Sequence, residues 1–171
     1  SLDRTNKALV KENKQVKGQY QQVARQAQQL EKEREELVEV VTRASMLEIG
    51  SFSVTAWNKR DRKTTIFSHI MKLQFDYSVA RNITCPPGMK TMYMRLTRPD
   101  GELMQKSMDD VFVFENSEIG YSVFKDFEYE GEEVSGTMYW LVEEILQEGV
   151  YNADFFVDGE LIGSFPFEIS Q

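Results

Sequence analysis

The chain has 171 residues, 41% of them hydrophobic and 12% aromatic, with 20 Lys and Arg against 28 Asp and Glu and a formal net charge of -8. That length allows one ordinary domain with a real core plus an extension, and no run approaches the roughly 18 apolar residues of a membrane span, so this stretch is expected to be soluble. The charge is uneven: residues 111–171 carry 1 basic side chain against 14 acidic ones, a field that repels nucleic acid and anionic membrane and attracts a cationic partner, although solubility is its simplest role.

Residues 1–46 read as a coiled-coil stalk. At intervals of seven the sequence gives Leu2, Leu9, Val16, Val23, Leu30, Leu37 and Ala44, and four residues after these stand Asn6, Asn13, Tyr20, Ala27, Arg34 and Val41. The first set takes the d positions and the second the a positions of a left-handed coiled coil, and Asn at a favours two strands in register at some cost in stability. Leu2, Asn6, Leu9, Asn13, Val16, Tyr20, Val23, Ala27, Leu30, Arg34, Leu37 and Val41 are therefore the expected interface of a homodimer. A parallel pair would bring Glu12 at g to Lys17 at the following e, a contact worth well under about 1 kcal/mol, so orientation stays open. The alternative, a helix folded back on the rest of the chain, leaves the Lys, Gln, Arg and Glu face poorly used, because only a narrow stripe is apolar. At 1.5 Å per residue the helix extends about 65 Å. The chain begins at Ser1 and is in helical register by Leu2, so the natural protein is expected to continue upstream.

From residue 47 the period changes to two, and residues 47–171 read as one β domain. "MKLQFDYSV" puts Met71, Leu73, Phe75, Tyr77 and Val79 on one face; "TMYMRL" repeats this with Met92, Met94 and Leu96, and "YSVFKDFEY" with Tyr121, Val123, Phe127 and Tyr129. Turn signals "CPPG", "RPDG", "YEGEE" and "VDGE" separate seven or eight short strands, and only "LVEEIL" hints at a helical period. "GVYNADFFVDGELIGSFPFEI" is a closing hairpin whose loop parity matters. A two-residue turn at Asp158 and Gly159 would split the apolar residues between two faces, so a three-residue loop from Val157 to Gly159 is expected, pairing Phe155 with Leu161 and Tyr151 with Phe165. Pro99–Gly101 fits the same construction. "LQEGVY" has the spacing of a tyrosine corner at Tyr151. Together these features predict an immunoglobulin-like antiparallel β-sandwich with Greek-key connections.

No catalytic, cofactor or metal site emerges, and no cofactor is implied. His69 is the sole histidine, and in a strand Ser68 would point away from it. Cys85 has no base but that distant histidine and reads as an exposed or half-packed thiol. The pairs Asp109/Asp110, Glu132/Glu133 and Glu143/Glu144 lack the alternating spacing of a calcium loop and read as solvated loop charge. "NKRDRK" at 58–63 could touch phosphate, but without interleaved aromatics a loop joining two strands explains it. "NIT" at 82–84 is a glycosylation sequon only in a eukaryotic secretory route.

The order "RAS.LE" after a coil, then "KLQFDYSVARNITCPPGMKTMYMRLTRPDGEL" and "YWLVEEILQEGVYNADFFVDGELIGSFPFEI", resembles Bacteroidetes coiled-coil proteins with a C-terminal β-domain, sometimes labelled chromosome-segregation-like. The resemblance spans most of residues 40–171 and attaches no catalytic residue. It implies an upstream membrane anchor, a place at the bacterial cell envelope and a β domain held a stalk length from the membrane. The expected function is thus non-enzymatic: a homodimeric stalk presenting heads to a protein partner, or to a glycan. The alternatives are a carbohydrate-binding or hydrolytic head, built on Trp57, Tyr139 or Trp140, and a nucleoid-associated coil that binds DNA.

Overall fold

The computed structural model describes residues 2–170 and divides into two compact units between Ala44 and Ser45. The first is α1, Leu2–Ser45, an unbroken helix of 44 residues with no buried side chain. Gln, Lys, Glu, Arg and Ala dominate it and no proline interrupts it, so intrinsic propensity favours helix throughout. Arg43 in the last turn bonds Glu39 one turn back at 2.5 Å and places a cation near the negative helix end.

The second unit holds ten strands: β1 (Ile49–Trp57), β2 (Lys72–Val79), β3 (Gly88–Thr97), β4 (Leu103–Met104), β5 (Val111–Phe114), β6 (Ser117–Gly120), β7 (Val123–Tyr129), β8 (Val134–Leu141), β9 (Gly149–Val157) and β10 (Glu160–Ile169), all paired antiparallel. A long helix followed by antiparallel strands is as expected. The immunoglobulin-like sandwich with Greek-key connections is not. Such a sandwich has two sheets, whereas these strands form three: β1-β2-β8, a five-stranded sheet running β10-β9-β3 with β7 and β4 beyond, and the separate hairpin β5-β6. The cause is visible in β3, ten residues long, which gives Gly88–Met94 to β7 and Leu96–Thr97 to β4 while Tyr93–Thr97 pairs with β9. Between β4 and β7 the chain leaves that sheet to make β5-β6, whose Phe112 stacks on Tyr93 at 4.4 Å and meets Phe156 at 5.2 Å. No barrel closes, because β1 and β10 remain edges.

The alternation read from the sequence does place the core. Leu73, Phe75, Tyr77 and Val79 from β2 and Met92, Met94 and Leu96 from β3 are buried in one apolar cluster with Tyr151, Ala153 and Phe155 of β9; Met71, before β2, is exposed. Tyr129 joins the cluster, whereas Tyr121 packs with Tyr93 and Phe124 among the aromatics beside β5-β6. "LVEEIL" is loop rather than helix.

The closing hairpin corrects the loop parity. Asp158 (φ 54°) and Gly159 (φ 74°) form a two-residue turn, with Val157 paired to Glu160 and Phe156 to Leu161. Two successive positive φ values match the twist of the flanking strands. A register shift between Leu161 and Gly163 then restores the face, pairing Phe165 with Ala153 and Phe167 with Tyr151. At Pro99–Gly101 the three-residue construction does occur: Gly101 (φ 88°) donates to Arg98, and Arg98 donates to Glu102.

Candidate functional site

The residues expected to form a coil interface lie along α1 and all are exposed in the single chain. Val38 and Val40 flank Leu37 and Val41, so the apolar seam widens toward the C-terminal end of the helix.

The sugar-platform candidates part company. Trp140 is buried, at 6% exposure, while Tyr139, its neighbour on β8, is 50% exposed. Trp57 is half-buried and donates its indole N–H to Gln74, which in turn donates to Asp76. Lys72 reaches between the rings, its Nζ 5.8 Å from the Trp57 centroid and 5.2 Å from that of Tyr139. The cation thus lies against the two rings a sugar would need for stacking. Trp140 is likewise capped, by Lys106 at 4.2 Å.

His69 and Ser68 are exposed in a 3-10 turn, Phe67–His69, not in a strand. Cys85 is buried, not exposed or half-packed, and its thiol lies 3.8 Å from the Pro86 carbonyl. Asn82 donates its side-chain amide to the Met46 carbonyl and accepts from the backbone N–H groups of Thr84 and Cys85, so the sequon side chain shapes its own turn. The 58–63 segment is a tight turn in which Asn58 Oδ1 accepts from the backbone N–H of Arg60 and of Arg62. The acidic pairs lie in loops, with Glu132 beside Arg81 and Glu143 beside Lys106. Tyr151 donates to the Gln147 carbonyl at 2.7 Å, the contact expected of a tyrosine corner.

A different feature emerges from packing. β1 carries Phe52, Val54 and Ala56 on its inner face, opposite Tyr77, Phe75 and Leu73, yet these three are only partly buried. The reason is that β1 is the edge of its sheet and faces β10, the edge of the other. The two edges meet at one end, where Phe52 stacks on Phe165 and the backbone of Gly163 lies against Ile49, so close that an added Cβ would come within 2.8 Å of it. Beyond that end they enclose a groove of about 660 Å³, walled by Phe52, Val54 and Ala56 on one side and Pro166, Phe167 and Ile169 on the other, and bounded by Thr64 and Thr65. The alternating "FSVTA" marks a strand, but nothing local in a sequence tells whether that strand has one neighbour or two; only Pro166, which lacks an N–H, hints that β10 is an edge.

No curated protein matches the chain. Among solved structures it is similar to the Pseudomonas fluorescens alkylpurine DNA glycosylase AlkC bound to DNA containing an abasic site analog, with 13% identity, 71% of this chain and 30% of that chain covered, and a TM-score of 0.39. It is also similar to β-glucosidase 3B from Thermotoga neapolitana in complex with glucose (12% identity, 74% and 16% covered, TM-score 0.46) and to the Kluyveromyces marxianus β-glucosidase in complex with glucose (12%, 74% and 14%, 0.44). This chain spans less than a third of each of those proteins, and the DNA and glucose belong to them. Residues 50–170, from the second residue of β1 to just beyond the end of β10, match the family model described as Domain of unknown function (DUF8428), and the chain belongs to that family.

Proposed function

We propose that the protein is a non-enzymatic interaction protein, a homodimer paired through α1 whose β domains bind a partner protein near the cell envelope. The observation that supports it is the a/d stripe from Leu2 to Val41, which runs along a 44-residue helix with no side chain buried. A stripe that narrow is covered well by a second helix of the same kind and poorly by a sheet. Polar Asn6, Asn13 and Arg34 within it favour a defined register over tight association. No helix among the described residues is long and apolar enough to cross a membrane. The test is the mass of the chain in solution by light scattering at micromolar concentration. Two chains per particle are expected; a monomer overturns the stalk.

A further inference from the structure

The groove between β1 and β10 offers backbone as well as apolar side chains. At the end of β1, Met71 N–H donates to the Trp57 carbonyl at 2.8 Å, on the β2 side, while Thr64 N–H donates to the Ala56 carbonyl at 3.0 Å, on the opposite side. Peptide groups alternate along a strand, and the β1–β2 register is unbroken from Phe52 to Trp57. The N–H and C=O of Val54 and Phe52 therefore point away from β2, as those of Ala56 do. Lys63 and Thr64 cover this edge only at Trp57 and Ala56, and among the described residues no strand pairs with it at Val54 or Phe52. The same two residues turn their side chains into the groove.

Open ladder positions on β1 beside an apolar trough are the recognition chemistry for an added strand. The facing strand is less suited, since Pro166 has no N–H to offer. From Ser51 to Thr55 the edge spans roughly 16 Å at about 3.3 Å per residue, room for about five peptide residues. Charge narrows the partner further. The 58–63 turn carries Lys59, Arg60, Arg62 and Lys63 against Asp61 alone, and leads directly into Thr64 and Thr65 at the groove's boundary. Glu168 lines the far wall, so acidic residues fit beside the turn and not within the trough.

We propose that the β1 edge is a strand-addition site for an extended peptide whose side chains alternate apolar and polar and whose flank next to the 58–63 turn is acidic. This rests on the binding role proposed above and names that partner's chemistry.

The test uses the full chain and a fluorescent octapeptide of alternating valine and threonine with two aspartates at one end, made in both orientations, against the same peptides ending in two lysines. Saturable binding of one peptide per chain is expected, at least tenfold tighter for the better aspartate peptide than for its lysine counterpart. Val54→Pro, which removes one edge donor, weakens it at least tenfold. Amide exchange on the wild-type chain keeps the test decisive if that variant does not fold: the Phe52 and Val54 amides become protected when the aspartate peptide is added. Absence of saturable binding, unchanged exchange at both amides, or full binding by a folded Val54→Pro overturns the proposal. So does a particle of more than two chains that Val54→Pro reduces to two, since the edge would then hold a second copy of this chain. A monomeric wild type that still binds the peptide overturns the stalk alone, and a dimer that does not bind overturns this site alone.

Discussion

Phe52 and Phe165 stack with centroids 4.9 Å apart and planes 14° apart, and that contact is where the edges of two sheets are held together. Phe52 also meets Phe75, Phe155 and Phe167 at 5.7–6.4 Å, so one half-buried ring ties four others across the core. Phe52→Ala removes its area and leaves a cavity continuous with the groove. A loss of about 3 kcal/mol is expected, the low end for Phe→Ala because the ring is not fully buried. Urea denaturation measures it; a loss below about 1 kcal/mol would mean the two edges are held elsewhere.

Gly136 and Tyr77 are cross-strand partners, and the tyrosine ring occupies the space a side chain at Gly136 would need. A Cβ at Gly136 would sit 2.6 Å from Cζ of Tyr77 and closer still to its hydroxyl. Gly136→Ala is therefore expected to cost about 1–3 kcal/mol through overpacking. Gly18, in α1, meets nothing within 4 Å, and Gly18→Ala is expected to act in the opposite sense, strengthening the helix by about 1 kcal/mol. Circular dichroism melts of the two variants should shift in opposite directions.

Burial pushes the Tyr77 phenol up to about 12 from an ordinary 10.0. Its neutral form is favoured in the folded state, so the unfolded chain releases this proton first as pH rises. The contribution to stability is complete below pH 10 and is lost as the pH climbs through 12. Tyr77→Phe has no such proton, and its stability should fall less steeply between pH 10 and 12 than the wild type's. Equal slopes in alkaline denaturation would contradict the assignment.

Strand β2 and strand β3 were legible because a half-buried strand writes its burial into alternate residues, and the Tyr151 corner because its bond to Gln147 spans only four residues. The closing hairpin is not legible from loop length, because a bulge between Leu161 and Gly163 restores a face that loop length alone would invert. The β5-β6 hairpin was illegible for a local reason: its turn places Glu115 and Asn116 at φ 49° and 64°, and glutamate is no signal for positive φ. The groove was beyond reach for a longer-range one, since it depends on which strands lack a second neighbour.

The VDG turn carries its own test. Lys90 on β3 is nearly enclosed, its side chain 11% exposed, and its ammonium pairs with Asp158 at 2.5 Å. Burial alone would lower the Lys90 pKa, but the hydrogen bond and charge of Asp158 outweigh it and hold the group above the ordinary lysine value. Asp158→Ala removes that partner and also the residue that adopts φ 54°. A loss of about 1–3 kcal/mol is expected, from an ammonium left with less compensation and a strained alanine. Asp158→Asn keeps the turn and loses only the charge, so its smaller loss, read by urea denaturation, isolates the ion pair.

The apolar weight of α1 lies toward its C-terminal half, where Leu30, Leu37 and Val41 occupy the seam, interrupted by Arg34, and Val38 and Val40 flank it; farther toward the N-terminus the seam includes both Asn6 and Asn13. A paired coil with polar residues at a has little stability to spare, so charge placed at two d positions in the stronger half should dissolve it. Leu30→Asp with Leu37→Asp is expected to give a monomer by light scattering. No side chain of α1 is buried and the core cluster is drawn from Met46 onward. The β domain of that variant should therefore melt cooperatively at the wild-type temperature when followed by tryptophan fluorescence. A variant that remains dimeric would remove the seam as the interface, and one whose β domain melts early would show that the two units do not fold independently.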